Sequence, residues 1–281
     1  MTKRYTSLVD MQEHACKSFG DKPLIGTKAG GQYEWTSYRR FGELVDHARA
    51  AIAAQGVGRG DKVAAISNNR LEWAVGAYAT YSLGAHWVPM YEAQQAEDWA
   101  FILHDSGAKL LLTSSCETYD RAVPLTGGVP ALDRVLCFEA PVEREHSWQR
   151  QLELGAKHPV PSVHPREDEI AGLIYTSGTT GKPKGVVLSH GNFTSNINAV
   201  QEAFPISDDD TSCSFLPWAH SFGQTAELHV LMSRGAAIGL AESAATLMED
   251  FLLVRPTLLL AVPRIFNRIY DGLQKRMAGE K

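Results

Sequence analysis

Leu173-Ile174-Tyr175-Thr176-Ser177-Gly178-Thr179-Thr180-Gly181-Lys182-Pro183-Lys184-Gly185-Val186-Val187-Leu188 is an apolar strand, a polar glycine-rich loop and a second apolar strand. Ser177, Thr179 and Thr180 bring hydroxyl donors, and Lys182 and Lys184 bring positive charge. Glycine lets a backbone approach an anion closely and adopt positive φ. Successive backbone N–H groups in such a turn form an anion-binding concavity. The stretch therefore reads as a phosphate grip. A plain hairpin turn between buried strands needs neither this length nor both lysines. The spacing excludes a Walker loop, which needs Gly, four residues, then Gly-Lys and a hydroxyl residue. Gly178 and Gly181 are only two residues apart, and Pro183 stands where the magnesium-binding hydroxyl should be.

Outward from this stretch, the chain alternates strand and helix patterns. Apolar residues at helical spacing predict helices over 8–19, 37–55, 69–83, 97–105, 147–154, 192–204, 220–232 and 244–253, and another from Pro263 onward. Strands are expected at 33–35, 62–67, 86–90, 109–113, 134–138, 170–175, 186–188, 213–218, 236–240 and 257–262. This alternation predicts an α/β fold with mainly parallel sheets flanked by helices. The proline- and charge-rich run 159–169 reads as a linker, dividing the chain into lobes 1–165 and 166–281. Gly56, Gly58 and Gly60 precede a strand rather than follow one, the wrong order for a dinucleotide fingerprint.

The 281 residues carry a net charge of −5, which argues against a nucleic-acid partner. No apolar run is long enough to span a membrane, and the N-terminus lacks the apolar core of a secretory signal. Cys16, Cys116, Cys137 and Cys213 are scattered, without zinc spacing, and read as reduced thiols of a cytoplasmic protein. Asp208-Asp209-Asp210 reads as a solvated turn in preference to a metal site.

Residues 175–185 match at every position the Tyr-Thr-Ser-Gly-Thr-Thr-Gly-x-Pro-Lys-Gly signature of the adenylate-forming (AMP-binding) enzymes. Phe215-Leu216-Pro217-Trp218-Ala219-His220 resembles that family's aromatic-x-Pro-x-x-His motif. Val262-Pro263-Arg264-Ile265-Phe266 resembles a passage of its long-chain fatty acyl-CoA synthetase branch. The resemblance implies ATP-dependent activation of a fatty acid to an acyl-adenylate, followed by thioester formation with coenzyme A. By it, Thr176, Ser177, Gly178, Thr179, Thr180, Gly181 and Lys184 bind the nucleotide, and Thr176 is also a ligand for Mg2+. Lys184 and His220 are the catalytic candidates. His220, Trp218 and Gly223 border the substrate, Trp218 as a tunnel or gate residue. Gly223 reads equally well as a helix-packing residue. Arg255 and Arg264 are weaker candidates for coenzyme A phosphates, with surface or capping roles preferred.

The family is about twice this long, and its later adenine, ribose and C-terminal lysine motifs find no counterpart here. The resemblance therefore implies the N-terminal part of an acyl-CoA ligase, with little activity by itself and an unpaired sheet edge where chains would associate. Two alternatives stay open: a ligase for an aryl or shorter acid, and a catalytically incomplete ATP-binding or interaction protein. A long acyl substrate leaves room for peripheral membrane contact, though no basic amphipathic helix demands it.

Overall fold

The structure, a computed structural model, describes residues 3–176, 182–243, 245–263, 265–267, 270 and 274. Two sheets organise it. The larger has six strands in the order β6-β5-β3-β4-β7-β8. These are β3 (Lys62–Ile66), β4 (His86–Met90), β5 (Leu110–Thr113), β6 (Arg134–Cys137), β7 (Ile170–Thr176) and β8 (Lys184–Ser189). All neighbours are parallel except the β7–β8 hairpin.

Side-chain alternation explains why helices cover both faces. Successive strand residues point to opposite sides. On β3, Val63 and Ala65 join one core while Ala64 and Ile66 join the other. On β5, Leu110 and Leu112 face the first core and Leu111 the second. The first core receives α1 (Leu8–Phe19), α2 (Tyr38–Ala54), α3 (Leu71–Tyr81) and α6 (Trp148–Gly155). The second receives α4 (Ala96–Ser106) and the chain after α5 (Cys116–Ala122). In the first core Trp73 packs edge-on against Trp87 at 5.2 Å and Trp218 at 5.5 Å.

The second sheet runs β2-β1-β10-β9, from β1 (Pro23–Ala29), β2 (Gln32–Ser37), β9 (Thr211–Ser214) and β10 (Ala237–Leu240). β1 and β2 form a hairpin turned by Gly30 and Gly31, both at positive φ. β1 then pairs in parallel with β10. Strand pairing crosses the expected lobe boundary at 165. β1 pairs with β10 and β4 with β7, so both sheets draw strands from each side of it.

Other expectations shift locally. β1 and α5 were not expected; Pro23 opens β1 at the first-residue position a strand tolerates. Ser115 caps α5 by accepting from the Thr118 N–H. α7 (His190–Ala203) starts earlier than Asn192 because Ser189 is the N-cap, and Asn192 completes the capping box from the third helical position. The helix expected over 220–232 is a π-helical turn, Gly223–Val230, running into α8 (Leu231–Arg234) and stopped by left-handed Gly235. α9 (Leu247–Val254) ends at Arg255, itself left-handed and exposed. Residues 257–262 form no full strand; Leu258 makes an isolated bridge to Ser212. The expected final helix lies largely outside the described residues.

Candidate functional site

The β7–β8 hairpin delivers both ends of the glycine-rich loop to one place. Its register sets Tyr175 opposite Gly185 and Thr176 opposite Lys184. Gly185 is required by its neighbour: a Cβ there would lie 2.9 Å from the Tyr175 ring. Tyr175 is buried, and its hydroxyl donates to Asp105 Oδ2 at 2.7 Å. Burial first, and the Asp105 carboxylate second, push its pKa upward, so it remains a donor. Thr176 and Lys184 are thus an exposed cross-strand pair on a locked hairpin. Lys182 stands with its ammonium 5.6 Å from the centre of the Phe101 ring. Ser177, Gly178, Thr179, Thr180 and Gly181 lie outside the described residues.

His220 arrives from the other sheet. After β9 the chain runs through 215–222, and Asn69, beyond the end of β3, clamps it from both sides. Asn69 accepts from the Trp218 N–H at 2.8 Å and donates to the Leu216 carbonyl at 2.8 Å. The Phe222 N–H donates to His220 Nδ1 at 3.1 Å. An acceptor Nδ1 places the ring proton on Nε2, so the neutral ring offers an Nε2–H donor.

Thr176 and His220 meet in a cleft of about 380 Å³ at the carboxyl ends of β4 and β7. Tyr91, Asp98, Pro183 and Ser221 complete the part that matters chemically. In open α/β sheets the crevice outside the carboxyl ends of the strands is where ligands bind. A larger cavity, about 610 Å³, lies along β6 against α6 and contains none of these residues. Sequence reasoning missed Tyr91 and Asp98. The signal was their place just after β4, which becomes meaningful once the sheet order is known. Nearby, Glu92 accepts from Asn68 Nδ2 at 2.6 Å, Ser114 Oγ at 2.6 Å and Thr118 Oγ1 at 3.0 Å, tying the crests of β3, β4 and β5 together.

Two expected substrate residues are placed elsewhere. Trp218 is fully enclosed in the first core, packed edge-on against Trp73. Gly223 is buried, and a Cβ there would press on the Pro217 backbone, so its close approach is to the His220 segment. Asp208 and Asp209 pair with Lys22, and Asp210 accepts from the Ser207 N–H and Thr257 hydroxyl, as a turn requires.

The Thr176 hydroxyl and the Asp98 carboxylate are cleft oxygens of the kind Mg2+ takes. One carboxylate and one hydroxyl suit an ion whose other ligands are phosphate oxygens and water.

The AMP-binding enzyme family matches residues 12–281. The chain belongs to that family. Among its relatives, fatty acyl-CoA synthetase B of Dictyostelium discoideum is 28% identical over 295 residues, covering 97% of this chain and 43% of the relative. A long-chain-fatty-acid–CoA ligase from Archaeoglobus fulgidus superposes with TM-score 0.85 at 24% identity, covering 97% of this chain and 55% of that one. The A domain of a carboxylic acid reductase from Segniliparus rugosus, solved with AMP and a co-purified carboxylic acid, gives TM-score 0.85 at 21% identity over 99% of this chain and 51% of that one. The fold is that of the N-terminal part of these adenylation domains. This AMP-binding enzyme chain spans less than half the length of the curated relative. No described helix is long and apolar enough to cross a membrane.

Proposed function

We propose that this chain supplies the phosphate-gripping and carboxylate-positioning half of a fatty acid–CoA ligase. The observation that carries the reading is the meeting of Thr176, at the mouth of the signature loop, with His220 in one cleft. In the first reaction a fatty-acid carboxylate oxygen attacks the α-phosphorus of ATP, forming the acyl–phosphate bond as pyrophosphate leaves. Thr176, Lys184 and the loop residues 177–181 hold the β- and γ-phosphates. The His220 Nε2–H orients the carboxylate. A bound Mg2+ would neutralise phosphate charge, with Thr176 and Asp98 as its cleft ligands. Positioning and charge stabilisation do most of the work in such transfers, and no protein nucleophile is required. In the second reaction the coenzyme A thiol attacks the acyl carbon and AMP departs.

Exchange of labelled pyrophosphate into ATP, measured with fatty acid and Mg2+ and repeated with aryl and short-chain acids, tests the reading. Acid-dependent exchange supports it, and the acid that works best fixes the substrate class. A second reading is a chain that binds ATP and turns over only with a complementing partner. Half-exposed Val186 and Val187 on the outermost strand β8 supply such a partner with an edge. Calorimetric ATP binding without exchange supports this second reading. Absence of both refutes the two together.

A further inference from the structure

His220 stands at the cleft, yet the groups that fix its segment lie behind it in the core. Residues 215–220 belong to no regular element, so their backbone donors need partners from elsewhere. Glu227 provides them. It sits fully buried on the π-helical turn, a kind of helix that recurs at functional sites. Its carboxyl meets the Ser214 hydroxyl in a short hydrogen bond and accepts from the Leu216 N–H at 3.2 Å and the Phe215 N–H at 3.4 Å. Among the described residues no cation pairs with it. Burial pushes its pKa up to about 8, with the bonds from Ser214 and the two amides pulling partly back. The Ser214 hydroxyl donates to Glu227 Oε2. The two amides donate to the same carboxyl, so the backbone N–H groups of 215 and 216 both find a partner there.

The clamp closes from two sides. Glu227 grips the Ser214 hydroxyl and the backbone at 215 and 216, Asn69 grips 216 and 218, and Gly223 lets the helix lie directly on Pro217. His220 follows within four residues, tied back through the Pro217 carbonyl, which accepts from the His220 N–H at 3.0 Å.

We propose that Glu227 is a positioning residue for His220, acting as a hydrogen-bond clamp on residues 214–216 that fixes which face of the imidazole meets the cleft. Its catalytic consequence rests on the carboxylate-orienting reading of His220; the clamp itself does not.

Long-range 1H–15N spectra of the histidine-labelled chain read the tautomer of His220, assigned by its loss in His220→Asn. The wild type should show Nδ1 as a bare acceptor and Nε2 protonated. Glu227→Gln keeps an acceptor for both amides, and should preserve that pattern. Glu227→Leu keeps similar volume without acceptors, and should average the ring between tautomers. Ser214→Ala, a mild change if Glu227→Leu does not fold, should give a smaller population of the second tautomer. A single unaltered His220 tautomer in Glu227→Leu or in Ser214→Ala overturns the clamp, as does Glu227→Gln behaving like Glu227→Leu. Pyrophosphate exchange measured alongside separates the two ideas. Absent exchange in the wild type with the expected tautomer changes removes the functional reading and leaves the clamp standing.

Discussion

Replacing Gly223 with alanine tests whether the His220 segment is held by contact with the π-helical turn. A Cβ built at 223 falls 2.9 Å from the Pro217 carbonyl carbon and 3.1 Å from the Leu216 oxygen, and closer still to the Pro217 oxygen. These are backbone atoms, so relief requires moving the segment itself. Overpacking of this kind costs about 1–3 kcal/mol, and a backbone obstruction belongs near the upper figure. Alanine returns about 1 kcal/mol of helix propensity, so the net loss should be about 2 kcal/mol. For a chain of this size that is roughly a 4 °C fall in Tm. The control is Gly58→Ala, where an added Cβ meets nothing within 4 Å and φ is not in the left-handed region. It should stay within about 0.5 kcal/mol of wild type. Urea and thermal unfolding of the three proteins measure both. A Gly223→Ala variant as stable as Gly58→Ala would refute the argument that the turn and the segment are in obligatory contact.

Trp73→Ala should lose about 3–5 kcal/mol in the same unfolding assay, because it empties the space between Trp87 and Trp218. Lys184→Met should weaken ATP binding by roughly 10- to 100-fold in calorimetry, the worth of one charge-assisted contact, while leaving Tm nearly unchanged at this exposed position. Stability should peak near pH 6.5. Burial holds His190 down to about 4 and His229 to about 3, so the unfolded chain takes up their protons first as pH falls below 6.5, and the fold loses stability there. Glu227 acts oppositely: raised to about 8, its contribution is full below 4.5 and is lost as pH rises through about 8. Each group changes stability by about 1.4 kcal/mol per pH unit inside its window, so two histidines against one carboxyl leave a net acid slope of about 1.4 kcal/mol per unit. His14 and His86, also lowered chiefly by burial, add to the acid side. Urea midpoints rising steadily from pH 5 to 8 would contradict this balance.

The larger sheet was readable because its signals are local. β3 and β5 are short apolar runs, and Ser37 and Ser147 cap α2 and α6 through their own side chains. The hairpin carrying Thr176 and Lys184 was readable for the same reason: its strands adjoin the loop between them. What the sequence withheld depends on distant partners. β1 carries Pro23, Gly26 and Lys28 and looks like a turn until β10 pairs with it. The resemblance offers Trp218 as a gate residue, and nothing in its own neighbourhood announces Trp73, 145 positions earlier, as its packing partner. A π-helical turn has no composition of its own, so the inward placing of Glu227 was invisible. Tyr91 and Asp98 belong to the cleft because β4 lies beside β7, and that adjacency is a property of strand order alone.

The pairing of β1 with β10 also sets a clock on synthesis. Roughly 200 residues separate the two strands, so at ribosomal rates of about 5–20 residues per second the β1–β2 hairpin waits about 10–40 s for its parallel neighbour. Meanwhile each strand of the six-stranded sheet after β3 finds a partner already made, β5 crossing back to β3 and β7 to β4. The smaller sheet is therefore the last to close. Ile25, fully covered in the finished protein, lacks its β10 partner Ile238 throughout that interval. The open edge of β1 is therefore the part of the smaller sheet that waits longest for its cover.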